Sequence, residues 1–516
     1  MDENRRGILK SSAGVAVSTM ICRVLGLVRS MLEAKFLGGG YLASAWGLAF
    51  TLPNQFRSIL GEGALSAALM PIMATSEQQD GEEEMRRKFG IVFVFLGILL
   101  AILTIIFSAG AIIISHFVSG YWLLAMQIVP AVMPYAVFMC LVGVAGTLLN
   151  LRKIFFIPSL GNMLLNVFII GTFFCLNSVI LEDREMLYIL SWSVLASGAT
   201  HLLLQLFLLW RAGVFPVFKG RFKGGRKILK ELFMLGLPGM IGAAATQFSF
   251  AVDQLLAGII SEYALPALRY SERLIYLPIG VFAISLGSVL FSTLSRIAAK
   301  GKLDELKDHV AWGLRMVAFI CIPMAVFLVI MRVEVLRLIF LRGEFDQKCL
   351  QETAFATLFY AAGIPFFCAV KVILPAFYSR KDTKTPLKCS LTAIGCNVIL
   401  NLILMWPLQQ GGIALATVLT SLLNNILLIW MLNRQSFSVP FGKVAVSIIR
   451  CGSAALLAVA PVWFFYRQWN AGISWLPADL LPLTAAVAVF IVIYFLLCRL
   501  FGAAEGGELL SIFKKQ

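Results

Sequence analysis

Residues 19–63 read TMICRVLGLVRSMLEAKFLGGGYLASAWGLAFTLPNQFRSILGEG and form two apolar stretches separated by three glycines. Six charged side chains interrupt these stretches, namely Arg23, Arg29, Glu33, Lys35, Arg57 and Glu62. A charge at the centre of a bilayer costs at least about 2.5–3.5 kcal/mol on insertion scales. We therefore predict that these side chains face a polar cavity rather than lipid. A cavity lined by cations is suited to an anionic ligand.

The rest of the chain is as apolar as this stretch. Of its 516 residues, 60% are hydrophobic and 14% are charged, and the mean hydropathy is +0.89. Nearly uncharged runs long enough to cross a bilayer as a helix, about 18 residues or more, recur from end to end. The sequence therefore predicts an all-α polytopic membrane protein.

Apolar runs between charged or glycine- and proline-rich breaks predict fourteen spans, which are 11–35, 42–75, 90–115, 121–149, 157–177, 186–210, 231–259, 271–297, 311–331, 351–378, 386–406, 411–433, 443–466 and 478–501. Of the 43 basic residues, 28 fall in segments on the side of the N-terminus and eight in segments on the opposite side. Because cytoplasmic loops are enriched in lysine and arginine, both termini are predicted to be cytoplasmic. Topology and contact with anionic membrane lipids account for most of the +16 net charge, so no nucleic-acid partner is expected.

The basic segment 211–230, RAGVFPVFKGRFKGGRKILK, separates spans six and seven near the middle of the chain. It predicts a cytoplasmic linker between an N-terminal lobe, 1–210, and a C-terminal lobe, 231–433. The remaining 434–516 hold spans thirteen and fourteen and a cytoplasmic tail. A loose repeat between LPNQFRSILGEGALSAALMP and LPIGVFAISLGSVLFSTLS, each in the second span of its lobe, favours two lobes related by a pseudo-two-fold axis along the membrane normal.

Motifs for catalysis are missing from the sequence. It contains no GxSxG, no GxxxxGK[ST], no HExxH and no kinase-like HRD motif. Its ten cysteines and three histidines are scattered without the spacing of metal ligands. The sequence therefore predicts a transporter rather than an enzyme, without a cofactor.

Arginines are the candidates for ligand binding. A guanidinium stays charged at any relevant pH and offers a planar fork to phosphate or carboxylate oxygens. We predict an anion clamp formed by Arg23, Arg29, Arg57 and Arg273. In the structural alternative the arginines are paired with nearby acids, giving the pairs Arg29–Glu33, Arg57–Glu62 and Arg273–Glu272.

A second polar set comprises Asp253 in span seven, Asn397 and Asn401 in span eleven, and Thr417 in span twelve. Asn397 and Asn401 are four residues apart and so share a helix face. One carboxylate with amide and hydroxyl oxygens suits a sodium ion, because hard cations prefer oxygen ligands. The alternative is a hydrogen-bond cluster between helices, and a pairing of Lys371 with Asp253 would compete with a cation.

Four stretches resemble the MurJ (MviN) lipid II flippases, a family of the multidrug/oligosaccharidyl-lipid/polysaccharide (MOP) exporter superfamily. These are TMICRVLGLVRSMLEAKFLG (19–38), LAFTLPNQFRSILGEGALSAALMPI (48–72), YSERLIYLPIGVFAISLGSVL (270–290) and VKVILPAFYSRKDTKTPLK (370–388). The resemblance implies two six-helix lobes around a central cationic cavity, two additional C-terminal helices that hold a polyprenyl tail, and alternating access to the two faces of the membrane.

The resemblance also implies roles for individual residues. It places the functional arginines of the family at Arg23, Arg29, Arg57 and Arg273. It places the sodium site of some members at Asp253, Asn397, Asn401, Ile413 (through its carbonyl) and Thr417. The chain departs from the family at Ser30 and Ser44, where many members have acids, and at Asn401, where some have a carboxylate that would favour sodium.

We therefore expect a bacterial inner-membrane flippase that carries lipid II, the undecaprenyl-diphosphate-linked peptidoglycan precursor, from the inner to the outer leaflet. Such a protein contributes to cell-wall biogenesis and cell shape, and the cell-wall synthesis machinery is an expected partner. One alternative is a flippase for another polyprenyl-diphosphate-linked oligosaccharide. Others are a cation-coupled drug exporter, which predicts acidic cavity walls, and a scaffold that recruits cell-wall synthases.

Overall fold

The structure is a computed structural model that describes residues 3–61, 64–177, 179–217, 225–300, 302–435, 437, 439–468, 480–503 and 505–508. All regular structure in these residues is helical, which confirms the predicted all-α class. Within the described ranges, nine helices are long and apolar enough to cross a membrane, or ten if one bent pair is counted as a single span. The count of fourteen spans and the symmetry of two lobes stay predictions.

Residue contacts divide the chain into two units, Met1–Gly258 and Ile259–Gln516. The helices described in the first unit are α1 (Glu3–Leu37), α2 (Tyr41–Phe56), α3 (Ala64–Asp80), α4 (Glu82–Ser115), α5 (Gly120–Val132), α6 (Tyr135–Leu151), α7 (Gly161–Leu176), α8 (Asp183–Arg211) and α9 (Gly225–Ile260). Those of the second are α10 (Ala264–Ala299), α11 (Leu303–Phe340), α12 (Gln347–Tyr378), α13 (Lys384–Arg434), α14 (Phe441–Gln468) and α15 (Leu480–Leu500).

By residue contacts, nearly all of α9 belongs to the first unit. The sequence predicts its span, 231–259, as the first span of the C-terminal lobe. The predicted domain bounds stay a prediction, and residues 218–224 of the predicted linker lie outside the described ranges.

Helix ends in the first unit follow local signals. Gly81 separates α3 from α4 with a φ of 87°, a left-handed conformation that glycine adopts without strain. Three glutamates beginning at Glu82 form the first turn of α4, where negative charge favours the helix. A capping box between Glu182 and Glu185 starts α8. These polar ends define where the long apolar helices begin.

A π-helical segment, Arg57–Gly61, follows α2 in place of further α-helix. Helix α6 crosses this segment at Gly143, where an added Cβ would lie 2.0 Å from the carbonyl oxygen of Gly61. The Ser66 hydroxyl donates to the Gly143 carbonyl oxygen at 2.9 Å, which ties α3 to the same crossing. Only glycine permits this close approach, so the crossing fixes the backbone that carries Arg57.

Aromatic rings fill the centre of the first unit, and isoleucines cover part of its surface. Phe50 on α2 contacts both Trp46 and Tyr135, with ring centroids 5.6 and 6.0 Å apart. On α4, Ile98 and Ile105 are 57% and 67% exposed. A helix with one buried face and one exposed apolar face is expected where lipid, not water, surrounds the protein.

Helix α12 is the central helix of the second unit and packs against α10, α11 and α13. Its amino end is capped by Asp346, whose carboxylate accepts from the Cys349 backbone amide at 2.8 Å. Helix α13 contains two predicted spans, 386–406 and 411–433, and its backbone is non-helical between them at Gln409, with φ 47° and ψ −131°.

The carboxyl-terminal residues are fastened to the second unit by long-range polar contacts. Arg315 on α11 pairs with Glu505 at 2.6 Å, and Trp312 donates its indole N–H to Glu508 at 2.8 Å. Arg450 on α14 donates to the carbonyl oxygen of Gly502 at 2.6 Å. Glu505 is almost completely buried. These contacts hold the residues that follow α15 against α11 and α14.

Candidate functional site

The first two predicted site residues, Arg23 and Arg29, lie on α1 six residues apart, about 1.7 turns of the helix. Arg23 is half-buried, whereas Arg29 is only 7% exposed. The Arg29 guanidinium lies 3.4 Å from the carboxylate of Glu33, one turn further along the same helix. Glu33 is equally buried, so the local ion pair that we gave as the structural alternative for Arg29 is present.

Arg57 is the first residue of the π segment. Its Nε and one terminal nitrogen donate to the side-chain oxygen of Asn54, at 3.2 and 3.0 Å. The other terminal nitrogen donates to the side-chain oxygen of Asn162 on α7, at 3.1 Å. All three guanidinium nitrogens therefore donate to oxygens of neutral side-chain amides. Glu62, the alternative partner named above, lies outside the described residues.

Two asparagines on α7 connect Arg57 to α1, the helix that carries Arg23 and Arg29. Asn162 binds Arg57, and Asn166, four residues later, donates to the backbone carbonyl oxygen of Cys22 at 3.1 Å. Residues four apart lie on the same helix face. One face of α7 therefore contacts both the π segment and the turn of α1 next to Arg23. The structure therefore places Arg57 and this turn of α1 against the same face of α7.

Our sequence reasoning did not select Asn162 or Asn166. Their signal was present, because two amides four residues apart interrupt the apolar run 157–177. Polar side chains within an apolar membrane helix commonly form hydrogen bonds or have a function, and of these two Asn166 is buried whereas Asn162 is exposed. The sequence could not show which helix the two amides face, since that depends on how α7 packs.

Arg273 lies on α10 in the second unit and is half-buried. The residues before it are tied to the central helix α12. Ser271 donates its hydroxyl to the Thr353 carbonyl oxygen at 3.0 Å, and the Tyr360 hydroxyl donates to the Glu272 carboxylate at 3.1 Å. Arg273 is therefore carried by a well-anchored turn, in a different unit from the other three arginines.

The five residues of the expected sodium site are also divided between units. Asp253 is buried on α9 in the first unit, and the other four lie on α13 in the second. On α13, the side-chain amide of Asn401 donates to the oxygen of Asn397 at 3.1 Å, and the Thr417 hydroxyl donates to the Ile413 carbonyl oxygen at 3.1 Å. These oxygens are of the type that sodium prefers, and two of them already accept hydrogen bonds.

Comparisons with known proteins agree with the helical architecture. A family model described as "Lipid II flippase MurJ" matches residues 33–486. The Vibrio cholerae protein "Probable lipid II flippase MurJ" is 29% identical over 510 residues, covering 96% of each chain. The Burkholderia cenocepacia "Lipid II flippase MurJ" is 27% identical over 493 residues, covering 92% of this chain and 94% of that protein.

Solved structures show the same fold. The structure titled "Lipid II flippase MurJ, inward closed conformation" matches with a TM-score of 0.77 at 21% identity, over 94% of this chain and 98% of that chain. An inward-facing multidrug resistance MATE transporter of the MOP superfamily matches with a TM-score of 0.65 at 14% identity, over 83% of this chain and 98% of that one.

The fold and the charged residues within apolar helices define a multi-span helical membrane protein. The family model and the relatives, which are flippases, define its class as a transporter. Because the family model covers most of the chain, the assignment goes further. The chain belongs to the lipid II flippase MurJ family. The resemblance seen in the sequence is thereby confirmed, whereas the roles of the individual arginines stay predictions.

Proposed function

We propose that this protein moves lipid II from the inner to the outer leaflet of the bacterial inner membrane by alternating access. In this proposal Arg23, Arg29 and Arg57 hold the diphosphate, with Arg273 of the second unit as the fourth member. The proposal rests on two contacts of one α7 face: Asn162 accepts from Arg57, and Asn166 donates to the Cys22 carbonyl oxygen beside Arg23. Family membership supports the choice of substrate.

The polar surroundings of Arg57 suit a reversible anion site. The amide oxygens of Asn54 and Asn162 orient the guanidinium, and a neutral acceptor is exchanged for phosphate at less electrostatic cost than a carboxylate. Arg29 lies beside Glu33, so an arriving diphosphate competes with a single local carboxylate. Anion binding therefore needs side-chain movements within α1 and the π segment.

The membrane potential is the proposed source of drive. With the cell interior negative, moving about two negative charges outward is favoured by about 4.6 kcal/mol per 100 mV, from about 2.3 kcal/mol per charge. Sodium coupling is a separable proposal that rests on the family resemblance. It is tested by replacing sodium with choline at constant membrane potential: an unchanged rate of lipid II transport rejects sodium as the coupling ion.

Purified protein in liposomes tests the main proposal. Lipid II is supplied in the inner leaflet, and its arrival in the outer leaflet is measured with a headgroup-specific binding protein. We expect transport by the wild type, little transport by Arg57→Ala and partial transport by Arg57→Lys, which keeps the charge but not the planar fork. Normal transport by Arg57→Ala and Arg29→Ala would reject the clamp.

The choice of substrate needs its own control. Another polyprenyl-diphosphate-linked oligosaccharide is placed in the same liposomes, and cells depleted of their lipid II flippase are tested for rescue. Rescue together with preferred transport of lipid II supports the proposal. Transport of the other glycan alone assigns the protein to that substrate.

A further inference from the structure

A cleft of about 680 Å³ lies in the first unit between the early turns of α4 and α9. The α4 wall contains Ile91, Phe95 and Ile98, spaced by three or four residues and therefore on one helix face. The α9 wall places Arg226 and Lys230 one turn apart on the cleft. The cleft thus combines an apolar wall with two cations.

The apolar wall continues onto the lipid-facing surface of α4. Phe95 and Phe233 meet edge to face across the cleft, with ring centroids 6.1 Å apart, and close part of its floor. Ile98 at the end of the wall is 57% exposed, and Ile102 and Ile105 beyond it are 49% and 67% exposed. An acyl chain lying in the cleft therefore has an unbroken apolar path into the bilayer.

Arg226 and Lys230 are exposed and have no hydrogen bond or ion pair among the residues that the structure describes, unlike the basic residues at the start of α4. Lys227 between them likewise has none there, but it does not line the cleft. At the start of α4, Arg86 donates to the Phe215 carbonyl oxygen at 2.8 Å, Arg87 pairs with Glu84 at 2.8 Å, and Lys88 pairs with Asp80 at 2.7 Å. These neighbours each have an assigned acceptor. Hydrogen bonds and ion pairs in the described part of the chain include neither Arg226 nor Lys230.

The surrounding sequence supplies no obvious acid for them. The segment 211–230 contains seven basic residues and no aspartate or glutamate. Glu231 directly follows Lys230, but adjacent side chains on a helix point in different directions. An anion from outside the chain is therefore the complementary partner for this cleft.

We propose that the cleft binds a phospholipid with an anionic headgroup. Its phosphate oxygens contact Arg226 and Lys230, and one acyl chain lies along Ile91, Phe95 and Ile98. Both cations lie next to the start of the predicted span 231–259, which on the predicted topology is the depth of the cytoplasmic-leaflet headgroups. This site is separate from the arginines of the proposed transport route, so its failure leaves the transport proposal untouched.

Native mass spectrometry of the full-length protein in detergent tests the site. The probe is dioleoyl phosphatidylglycerol, compared with dioleoyl phosphatidylcholine, which has the same chains and no net charge. A basic residue near an anionic lipid surface contributes about 1 kcal/mol, equivalent to about fivefold in affinity. We expect the double variant R226Q/K230Q to bind phosphatidylglycerol roughly 25-fold more weakly, with its phosphatidylcholine binding unchanged.

The matched control is R211Q/K227Q, which removes two charges from the same basic segment but none from the cleft. Its affinity for phosphatidylglycerol is expected to change less than about twofold. Ile98→Ser, at an exposed position, should weaken both lipids because it interrupts the acyl path. Circular dichroism melting checks that all variants are folded.

Three results would overturn the proposal. The first is an equal loss of affinity in R226Q/K230Q and in the control, which would show only general surface attraction. The second is equal binding of the two lipids by the wild type. The third is displacement of phosphatidylglycerol by inorganic phosphate at the same concentration, which would assign the cleft to free phosphate instead of lipid.

Discussion

Arg57 in the first unit and Arg315 in the second are both arginines within apolar helical sequence, and the hydrogen bonds that the structure describes for them differ in kind. Arg57 bonds to amides of Asn54, on its own helical turn, and of Asn162. Arg315 bonds to carboxylates of Glu505 and Glu508, at 2.6 and 3.4 Å, from a segment almost two hundred residues further along the chain.

The difference separates two uses of a charge in a membrane protein. An ion pair between distant segments is strongest when it stays closed, because opening it leaves a buried charge and releases a piece of the fold. An arginine oriented by amides can exchange them for phosphate oxygens without that loss. We therefore interpret Arg315 as a structural residue that holds Glu505 and Glu508 against α11. Arg57 remains the proposed anion-binding residue.

The largest expected effect is on transport. If Arg57 holds the diphosphate as proposed, Arg57→Ala removes charge-assisted hydrogen bonds to it, each worth about 1.5–3 kcal/mol. Lipid II transport in liposomes should fall about 10- to 100-fold. Arg315→Ala should change the transport rate per folded molecule less than about threefold. If the two variants lose transport equally, the comparison between the two arginines is wrong.

The next largest effect is on stability, and here the change is expected at the Arg315 ion pair instead of at Arg57. Glu505→Gln weakens a pair in which the Glu505 side chain is 3% exposed and the Arg315 side chain 20%. Breaking a fully buried pair costs about 3–5 kcal/mol and an exposed pair at most about 1, so we expect about 2 kcal/mol. The thermal unfolding midpoint in detergent reports this loss. Glu508→Gln, with a longer and more exposed contact, is the control and should cost less than about 1 kcal/mol.

Asn162→Ala tests whether α7 positions Arg57. The variant loses one exposed hydrogen bond that orients the guanidinium and leaves the charge in place, so we expect a transport loss of about threefold, from about 0.5–1 kcal/mol. Asn162→Asp keeps an oxygen acceptor but adds a negative charge that competes with the diphosphate, and should be no better. Wild-type transport by Asn162→Ala would show that α7 does not orient this guanidinium.

The smallest expected effect is a pH dependence of stability that comes from the Arg315–Glu505 ion pair. Burial alone would raise the pKa of Glu505, but its backbone hydrogen bond and the hydrogen bond and charge of Arg315 outweigh burial and hold the pKa below its ordinary value of 4.5. A depressed carboxyl pKa stabilises the fold above the unfolded pKa, and this stability is lost as the pH falls through the folded pKa. The unfolding midpoint of the wild type should therefore fall more between pH 7 and pH 4 than that of Glu505→Gln.

A pH profile that is identical in the two proteins would show that Glu505 is not part of a stabilising pair. Measuring Asp346→Asn in parallel supplies a reference, because the cap hydrogen bond from the Cys349 backbone amide likewise lowers the pKa of Asp346. That variant should also lose part of the pH dependence, but without effect on the carboxyl-terminal residues.

Much of the helical architecture could be predicted from apolar runs, because a membrane helix must be apolar over a length set by the bilayer. The same reasoning treated 42–75 as one span, and the structure shows a π segment at Arg57–Gly61 inside it. It separated 386–406 from 411–433, and the backbone of α13 departs from helical geometry between them at Gln409. Hydropathy does not report backbone changes inside a span, such as this π segment, because they depend on contacts such as Gly143 with Gly61.

By itself, the sequence determined the helical class, the family motifs and which arginines interrupt apolar helices, because hydropathy and motif spacing are properties of neighbouring residues. Only the tertiary structure decided the partners, such as Asn162 for Arg57 and Glu505 for Arg315. The physical reason is that lipid-facing and core-facing side chains are both apolar in a membrane protein. The sequence pattern therefore leaves the rotation of each helix open, and that rotation determines which polar side chains meet.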